Sequence, residues 1–395
     1  MSEFRTIREL CSVVVDCPHS TPKWTANGKI VIRNNNIKHG RIDFSSPSYT
    51  DDEHFAQRIK RAKPQPGDII ITREAPIGDV GMIPENTECC LGQRMVLLRA
   101  NQSVCDNFYL LYSLQSLYVQ HQISWSEGTG TTVSNLRIPH LEQIQIPYLP
   151  LEQQAKISSV LRALEEKIEN NRRLNDNLEQ QAMALYRQMF VENNNDARRE
   201  CRADEYFDIS IGKTPPRKEA QWFSMNPTDC IWVSISDMGR CGMYIADSSE
   251  YLTHESVDKF NIKVVPDHTV LLSFKLTVGR VAITDGAMVT NEAIAHFKTD
   301  KPEINEYLYC YLKDFNYQTM GSTSSIATAV NSKIIKAMPF VIPTDAELAS
   351  FHSATAPMFE MIKTRQRENT RLAELRDSLL PKLMSGEIDV SAVQL

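Results

Sequence analysis

Apolar positions in this chain follow two rhythms. Residues 151–190 contain neither Gly nor Pro, and their apolar side chains recur at alternating steps of four and three. The row runs Ile157, Leu161, Leu164, Ile168, Asn171, Asn175, Leu178, Ala182, Leu185, Met189, with charged residues between. That spacing predicts one long helix with a coiled-coil seam. Its two Asn residues are either register-setting polar contacts or solvent-facing positions on a slightly rotated seam. A partner helix is expected from Thr344-Asp345-Ala346-Glu347, a capping-box pattern, through Met358, Ile362, Leu372, Leu375, Leu379 and Leu383. Pro357 and Pro381 predict kinks in it. The second rhythm is short. Asp68-Ile69-Ile70-Ile71-Thr72 and Thr269-Val270-Leu271-Leu272-Ser273 read as buried strands bounded by turn residues. Short helices are expected near Asn107–Gln120 and Ile304–Phe315, and the polar run 192–202 (ENNNDARRECR) reads as a linker.

The pattern also repeats. Thr21-Pro22 returns as Thr214-Pro215, Ile77-Gly78-Asp79-Val80 as Val278-Gly279-Arg280-Val281, and Asn107-Phe108-Tyr109-Leu110 as Asn305-Glu306-Tyr307-Leu308. Leu114 matches Leu312, Gly128 and Gly321 each open a hydroxyl-rich stretch, and Pro150 matches Pro343. Asn171-Arg172-Arg173-Leu174 then matches Asn369-Thr370-Arg371-Leu372. One order kept across nearly 200 residues implies duplication of a unit made of a globular head and a helix. The expected fold class is α+β: two mixed, strand-rich domains separated by two long antiparallel coiled-coil helices. The expected boundaries are 1–150 and 204–343 for the heads, 151–191 and 344–395 for the helices, and 192–203 for the linker.

Composition narrows the function. A length of 395 residues, 42% of them apolar, suits two domains. No apolar run approaches the ~18 residues of a membrane span. The start Met1-Ser2-Glu3-Phe4-Arg5 lacks a secretory stretch, and nine Cys without a C-x-x-C pair predict free thiols in a reducing cytoplasm. The net charge of −6 excludes a generally basic nucleic-acid coat while leaving room for a local basic face. Residues 1–150 carry 15 basic and 15 acidic side chains and 203–343 carry 13 and 17, so neither head is basic enough for tight non-specific binding alone.

Catalytic patterns are missing from the sequence. There is no phosphate loop, no strand-borne G-x-G-x-x-G and no His/Cys cluster with zinc spacing. Thr214-Pro215-Pro216-Arg217 lacks the acidic or amide residue and the aromatic of a base-flipping methyltransferase loop. Glu165-Glu166-Lys167 lies on the long helix, where alternating charge is normally solvated. No metal ligand and no catalytic residue is assigned.

Binding residues are easier to nominate. In the first head Arg58, Lys60, Arg61 and Lys63 form a basic cluster suited to phosphate. Arg33, Asn34, Asn36 and Lys38 follow the run Ile30-Val31-Ile32, and Arg and Asn are the side chains that pair with guanine and adenine edges. Arg73, Arg94, Thr129 and Thr131 complete that set. In the second head the candidates are Lys213, Arg217 and Lys218 around a Pro-Pro turn, Ser234 and Ser236, Lys275 and Arg280 about Gly279, and Ser322, Thr323 and Ser324. Each also has a plainer reading as a turn or solvated-loop residue. A first helix of about 40 residues at ~1.5 Å rise spans roughly 60 Å, more than one turn of duplex DNA.

The stretch Leu375 to Ile388 (LRDSLLPKLMSGEI) is similar to the closing helix and tail of the specificity subunits of type I restriction–modification systems. Ile146-Pro147-x-x-Pro150-Leu151-Glu152-Gln153-Gln154 resembles the entry to that family's central helix, and Trp232-Val233-Ser234-Ile235-Ser236-Asp237-Met238 the start of a target-recognition domain. The resemblance spans the chain. It implies a non-catalytic subunit that binds double-stranded DNA, each head reading half of a bipartite site while the helices set the spacer. It implies docking of two methyltransferase subunits, which use S-adenosylmethionine, and of restriction/translocase subunits, which use ATP and Mg. This chain would bind no cofactor itself. Asn34-Asn35-Asn36 in place of the Ser/Asp segment, and the extra Pro357, depart from strict equivalence of the halves. The competing expectation is a coiled-coil scaffold with two ligand-binding heads and no affinity for DNA.

Overall fold

The computed structural model describes residues 3–38, 40–125, 135–320 and 331–390. The chain forms two compact units, Met1–Ile168 with Arg371–Leu395, and Glu169–Thr370. The division falls inside the long helices, so each unit is a head together with part of both helices.

In the first unit a four-stranded antiparallel sheet runs in the order Cys11–Asp16, Met95–Ala100, Ile69–Arg73, Ile77–Met82. The strand Ile69–Arg73 is buried along its whole length, which is why its apolar residues are continuous rather than alternating. A smaller sheet orders Ser48–Thr50, Lys29–Ile32 and Cys89–Leu91, the last pair parallel. The helix expected over 107–120 is two helices, Asn107–Gln115 and Leu117–Ser124. Ser116 between them is extended (φ −65°, ψ 146°) and caps the second by accepting from the Val119 amide.

The second unit repeats this plan. Its main sheet orders Asp208–Ile211, Ile294–Lys298, Val270–Ser273, Val281–Thr284 and Tyr244–Ile245. Its smaller sheet orders Phe223–Ser224, Tyr251–Leu252, Cys230–Val233 and Val289–Thr290, again with the last pair parallel. Each unit also has a two-stranded ribbon, Glu3–Thr6 with Gln145–Tyr148 and Arg199–Arg202 with Pro339–Ile342. The end of the expected linker is therefore a strand: its polar side chains stand on a ribbon, where backbone pairing needs no apolar run.

Hydrogen-bond register matches the two copies residue by residue. Ile32 lies opposite Leu91 as Val233 lies opposite Thr290. The Gly92 amide donates to Ile32 O and the Asn291 amide to Val233 O; Arg73 N donates to Arg94 O and Phe274 N to Ala293 O. Gln93 thus corresponds to Glu292, Glu74 to Lys275 and Ala75 to Leu276. The glycines aligned by sequence, Gly78 and Gly279, have φ of +82° and +91°.

The long helices are Leu151–Tyr186, continued by a π turn over Arg187–Val191, and Asp345–Ser385. Within the first unit Glu165 meets Arg376 at 3.7 Å, while Ile157 and Leu161 share a core with Leu383 and Met384. Within the second, Asn171 meets Glu368 and Asn369, and Tyr186 packs on Phe351. In each unit the two helical segments therefore run antiparallel. Ile157, Leu161, Ile168, Ala182, Ile362 and Leu383 are buried as the spacing requires, whereas Leu164, Leu178, Leu185 and Leu372 are half-buried. Two seam expectations need correction. Tyr186 rather than Leu185 takes the buried place at the end of the first helix, because its ring fills the aromatic core of Phe190, Tyr307 and Phe351. Leu375 is exposed. Asn171 is buried and donates to Glu368 Oε2 (2.7 Å) and Asn369 Oδ1 (2.9 Å), a cross-helix contact rather than a solvent-facing one. The second helix starts on the expected box: Thr344 N and Oγ1 both donate to Glu347 (2.9 Å). It runs unbroken through Pro357 and Pro381. Both prolines lie on the exposed side, where water can satisfy the carbonyls they free.

Candidate nucleic-acid interface

Three loops converge at one edge of each head, and the register places them at the same topological position twice. They are the turn after the central strand of the small sheet (33–36 and 234–238), the hairpin loop of the main sheet (74–78 and 275–279), and the segment after the parallel strand (92–94 and 291–293).

In the first unit Asn34 Nδ2 donates to Glu74 O (2.6 Å), and Glu74 pairs with Arg94 (3.2 Å). Arg33 is exposed and its guanidinium lies over the Trp24 ring at 5.2 Å. Arg33, Asn34, Arg94 and Trp24 are thereby tied through the same turn and hairpin loop. Asn36 is not part of that surface. It is buried, closes the turn by accepting from the Arg33 amide (2.9 Å), and donates to Asp43 O (3.0 Å). Asp237 does the same in the second unit, accepting from the Ser234 amide and hydroxyl (2.9 and 2.6 Å). Asn36 and Ser234 are turn-building residues, so their nomination as DNA contacts is corrected. Lys38 is exposed and paired with Asp43 (2.8 Å).

The basic cluster divides. Arg58 is 6% exposed, and its guanidinium donates to Leu91 O (2.7 Å), Ser20 O (2.9 Å) and Pro18 O (3.1 Å). Arg73 is also buried, donating to Leu136 O (2.8 Å) and Asn135 Oδ1 (3.2 Å) and pairing with Asp16 (2.8 Å). A guanidinium offers its donors in a fixed fork, and here both forks are turned inward. Arg58 and Arg73 are structural. Lys60, Arg61 and Lys63 are exposed; Lys63 shares Glu88 with Lys29, and the two cations hold that carboxyl down at about 2.

In the second unit Arg217 lies over the rings of Phe223 (4.3 Å) and Trp232 (4.4 Å) and pairs with Glu250 (2.7 Å). Lys213 donates to Phe260 O (2.7 Å), and Lys218 is exposed. Lys275 and Ser236 are exposed, and Arg280 donates to Ile235 O (2.5 Å), tying the hairpin to the 234–238 turn. The repeated Thr-Pro acquires a role here. Gln93 donates to Thr21 Oγ1 (3.3 Å), and Thr214 Oγ1 donates to Glu292, the residue matching Gln93. Partial burial would push the Glu292 carboxyl up, but Thr214, Lys275 and Arg217 together hold it low. Thr129, Thr131, Ser322, Thr323 and Ser324 lie outside the described residues.

Each head is bolted to its helical segments. Glu165 accepts from Tyr112 OH (3.1 Å) and, through its carbonyl, from Arg41 (3.0 Å), so this member of the Glu-Glu-Lys run is not solvated surface. In the second unit Lys363 and Arg367 converge on Asp285 (3.3 and 2.5 Å), and Gln366 exchanges two hydrogen bonds with the Tyr244 backbone, each 3.0 Å. Trp24 and Gln93 join this edge without standing out in the sequence. An aromatic residue in a polar stretch nine positions before an Arg was the available signal for Trp24. All nine cysteines are free, and burial pushes Cys89 up to about 12 and Cys90 to about 11. Among the described residues no group of three or more His, Cys, Asp or Glu is placed to hold a metal, and no helix is long and apolar enough to cross a membrane.

A duplicated head of mixed strands and helices, each copy seated on antiparallel helical segments, defines a two-headed α+β class of protein. The chain belongs to the type I restriction modification DNA specificity family, whose domain matches residues 3–180 and 200–352. The type I restriction enzyme MjaIX specificity subunit of Methanocaldococcus jannaschii is 25% identical over 364 residues, covering 82% of this chain and 78% of that one. A putative MjaX specificity subunit from the same organism is 20% identical over 415 residues, covering 98% and 94%. The fold is also that of the type I restriction–modification S subunit from M. genitalium, with a TM-score of 0.55 at 16% identity, over 96% and 95% of the two chains. The function of this chain is DNA sequence recognition.

Proposed function

We propose that this chain reads a bipartite duplex site, one half through each unit, and that the long helices set the unspecified spacer and dock two methyltransferase subunits. The observation that carries this reading is the twofold occurrence of one loop edge, in one register, with different side chains. Arg33, Asn34 and Arg94 mark it in the first unit, and Lys213, Arg217, Lys218, Ser236, Lys275 and Arg280 in the second. Two copies of one reader with unlike surfaces suit two unlike half-sites, because bases are distinguished by the donors and acceptors brought to their edges. Thr129, Thr131, Ser322, Thr323 and Ser324 belong to the same proposal through their hydroxyls.

The chain itself does no covalent chemistry in this reading. S-adenosylmethionine, and ATP with Mg, act on the methyltransferase and restriction/translocase subunits. The acidic balance fits a division of labour in which partner subunits supply much of the grip on phosphate. The test is co-expression with the methyltransferase subunit followed by mapping of methylated adenines through long-read sequencing. Two short motifs at a constant separation are expected, and exchange of residues 1–150 for another head changes one motif only. A single continuous motif, or both motifs changing at once, would sink the bipartite reading. No methylation and no duplex binding by the assembled complex would favour the scaffold instead.

A further inference from the structure

The main-sheet hairpins of the two units share a left-handed tip and a following glycine, although a cis peptide, Ala75–Pro76, occurs in the first hairpin and not in the second. The tip residue has φ +48° at Ala75 and +59° at Leu276, and the glycine with positive φ follows three residues later. That conformation crowds the Cβ of any L residue, yet the turn imposes it in each copy. The first unit meets the requirement with alanine, the smallest side chain that has a Cβ. The second places leucine there, and that residue is 100% exposed.

The loop around Leu276 is pinned. Ser273 Oγ donates to Thr277 O (2.6 Å), Gly279 N to Ser273 O (3.0 Å) and Arg280 N to Ser273 Oγ (3.0 Å). The fold thus holds out an isobutyl group that buries nothing. Its chain neighbour Lys275 is an exposed cation, where the first unit has Glu74.

We infer that Leu276 is a wedge that enters the base stack of the half-site read by the second unit, with Lys275 held against the adjacent phosphate. Apolar side chains inserted at a base step unstack it and kink the duplex, and the cost depends on which step is opened. Leu276 therefore adds shape readout to one half-site, and Ala75 beside Glu74 adds none to the other. A duplex fits this tip better than a protein surface does, because protein interfaces bury an apolar core while this is a single apolar group beside an exposed lysine. The inference rests on the DNA-reading function.

The test uses the chain assembled with its methyltransferase subunits and a duplex carrying the mapped site. 2-Aminopurine is placed singly at each position other than the methylated adenines. Wild type raises fluorescence at one step of the second unit's half-site and at none of the first unit's. Leu276→Gly abolishes the rise and weakens binding about tenfold, roughly 1.4 kcal/mol. Its subunit assembly is intact and its melting temperature equal or higher, since glycine relieves the left-handed backbone. Leu276→Phe retains the rise. Unchanged fluorescence and affinity in Leu276→Gly overturns the wedge alone, and loss of subunit assembly overturns it by making Leu276 a protein contact. A wild-type complex that neither binds nor methylates any duplex overturns the DNA-reading function and the wedge with it.

Discussion

Arg58 separates a structural guanidinium from a phosphate contact most sharply. Replacing it with alanine removes three donors, those to Leu91, Ser20 and Pro18. A hydrogen bond from a charged donor contributes about 1.5–3 kcal/mol when its loss leaves a buried acceptor unpaired. Leu91 is buried, whereas Ser20 is exposed and Pro18 half-buried, so water replaces much of the loss at those two. Counting Leu91 in full and the other two as small gives about 3 kcal/mol. For a unit of this size, about 2–4 °C per kcal/mol places the fall in melting temperature at roughly 6–12 °C. Differential scanning calorimetry of Arg58→Ala beside Lys60→Ala checks this, since Lys60 is exposed and its loss leaves melting unchanged. Lys60→Ala acts instead on the salt dependence of DNA binding, where each lost phosphate contact lowers the log–log slope by about 0.9. If Arg58→Ala melts like wild type yet lowers the salt slope, the guanidinium reaches phosphate and the structural reasoning is wrong.

Three further outcomes follow from the geometry. The Glu347 carboxyl is held down to about 2, first by the Arg198 guanidinium and then by Asn195 and Thr344, against the opposing effect of burial. A carboxyl lowered on folding stabilises above its unfolded value near 4.5 and loses that contribution as pH falls toward 2. Melting followed from pH 7 downwards therefore drops more steeply in wild type than in Glu347→Gln, and parallel curves would contradict the assignment. Gly279→Ala places a Cβ 3.1 Å from the Tyr317 ring at φ +91°, at a cost of about 1–3 kcal/mol; an unaltered melting temperature would show that the loop yields freely. Inserting one heptad into 157–189, with a matching heptad in the second helix, adds about 10.5 Å at ~1.5 Å per residue. That length corresponds to roughly three base pairs at ~3.4 Å each. Methylation mapping is expected to return a longer spacer between unchanged half-sites, and an unchanged spacer would refute the ruler.

Repetition and periodicity were legible along the chain. The four-three apolar row specified the first long helix, because a helix buries one stripe and exposes the rest. The Thr344–Glu347 box specified where the second begins. Short Ile- and Leu-rich runs marked the strands Ile69–Arg73 and Val270–Ser273, and the ordered matches between halves disclosed the duplication before any fold was known. Which polar residues face inward became visible in the folded chain alone. Arg58 and Lys60 are alike in sequence, yet one lies against three carbonyls and the other in solvent. Asn34 and Asn36 are two positions apart, yet one reaches the Glu74 loop and the other closes its own turn. Ala75 and Leu276 align through the Gly78 and Gly279 match, yet no local pattern signals that both sit left-handed at a hairpin tip. The physical reason is common to all of these. Periodicity records burial of apolar surface, which local spacing encodes, whereas the partner of a polar group is set by carbonyls and carboxylates brought from far along the chain.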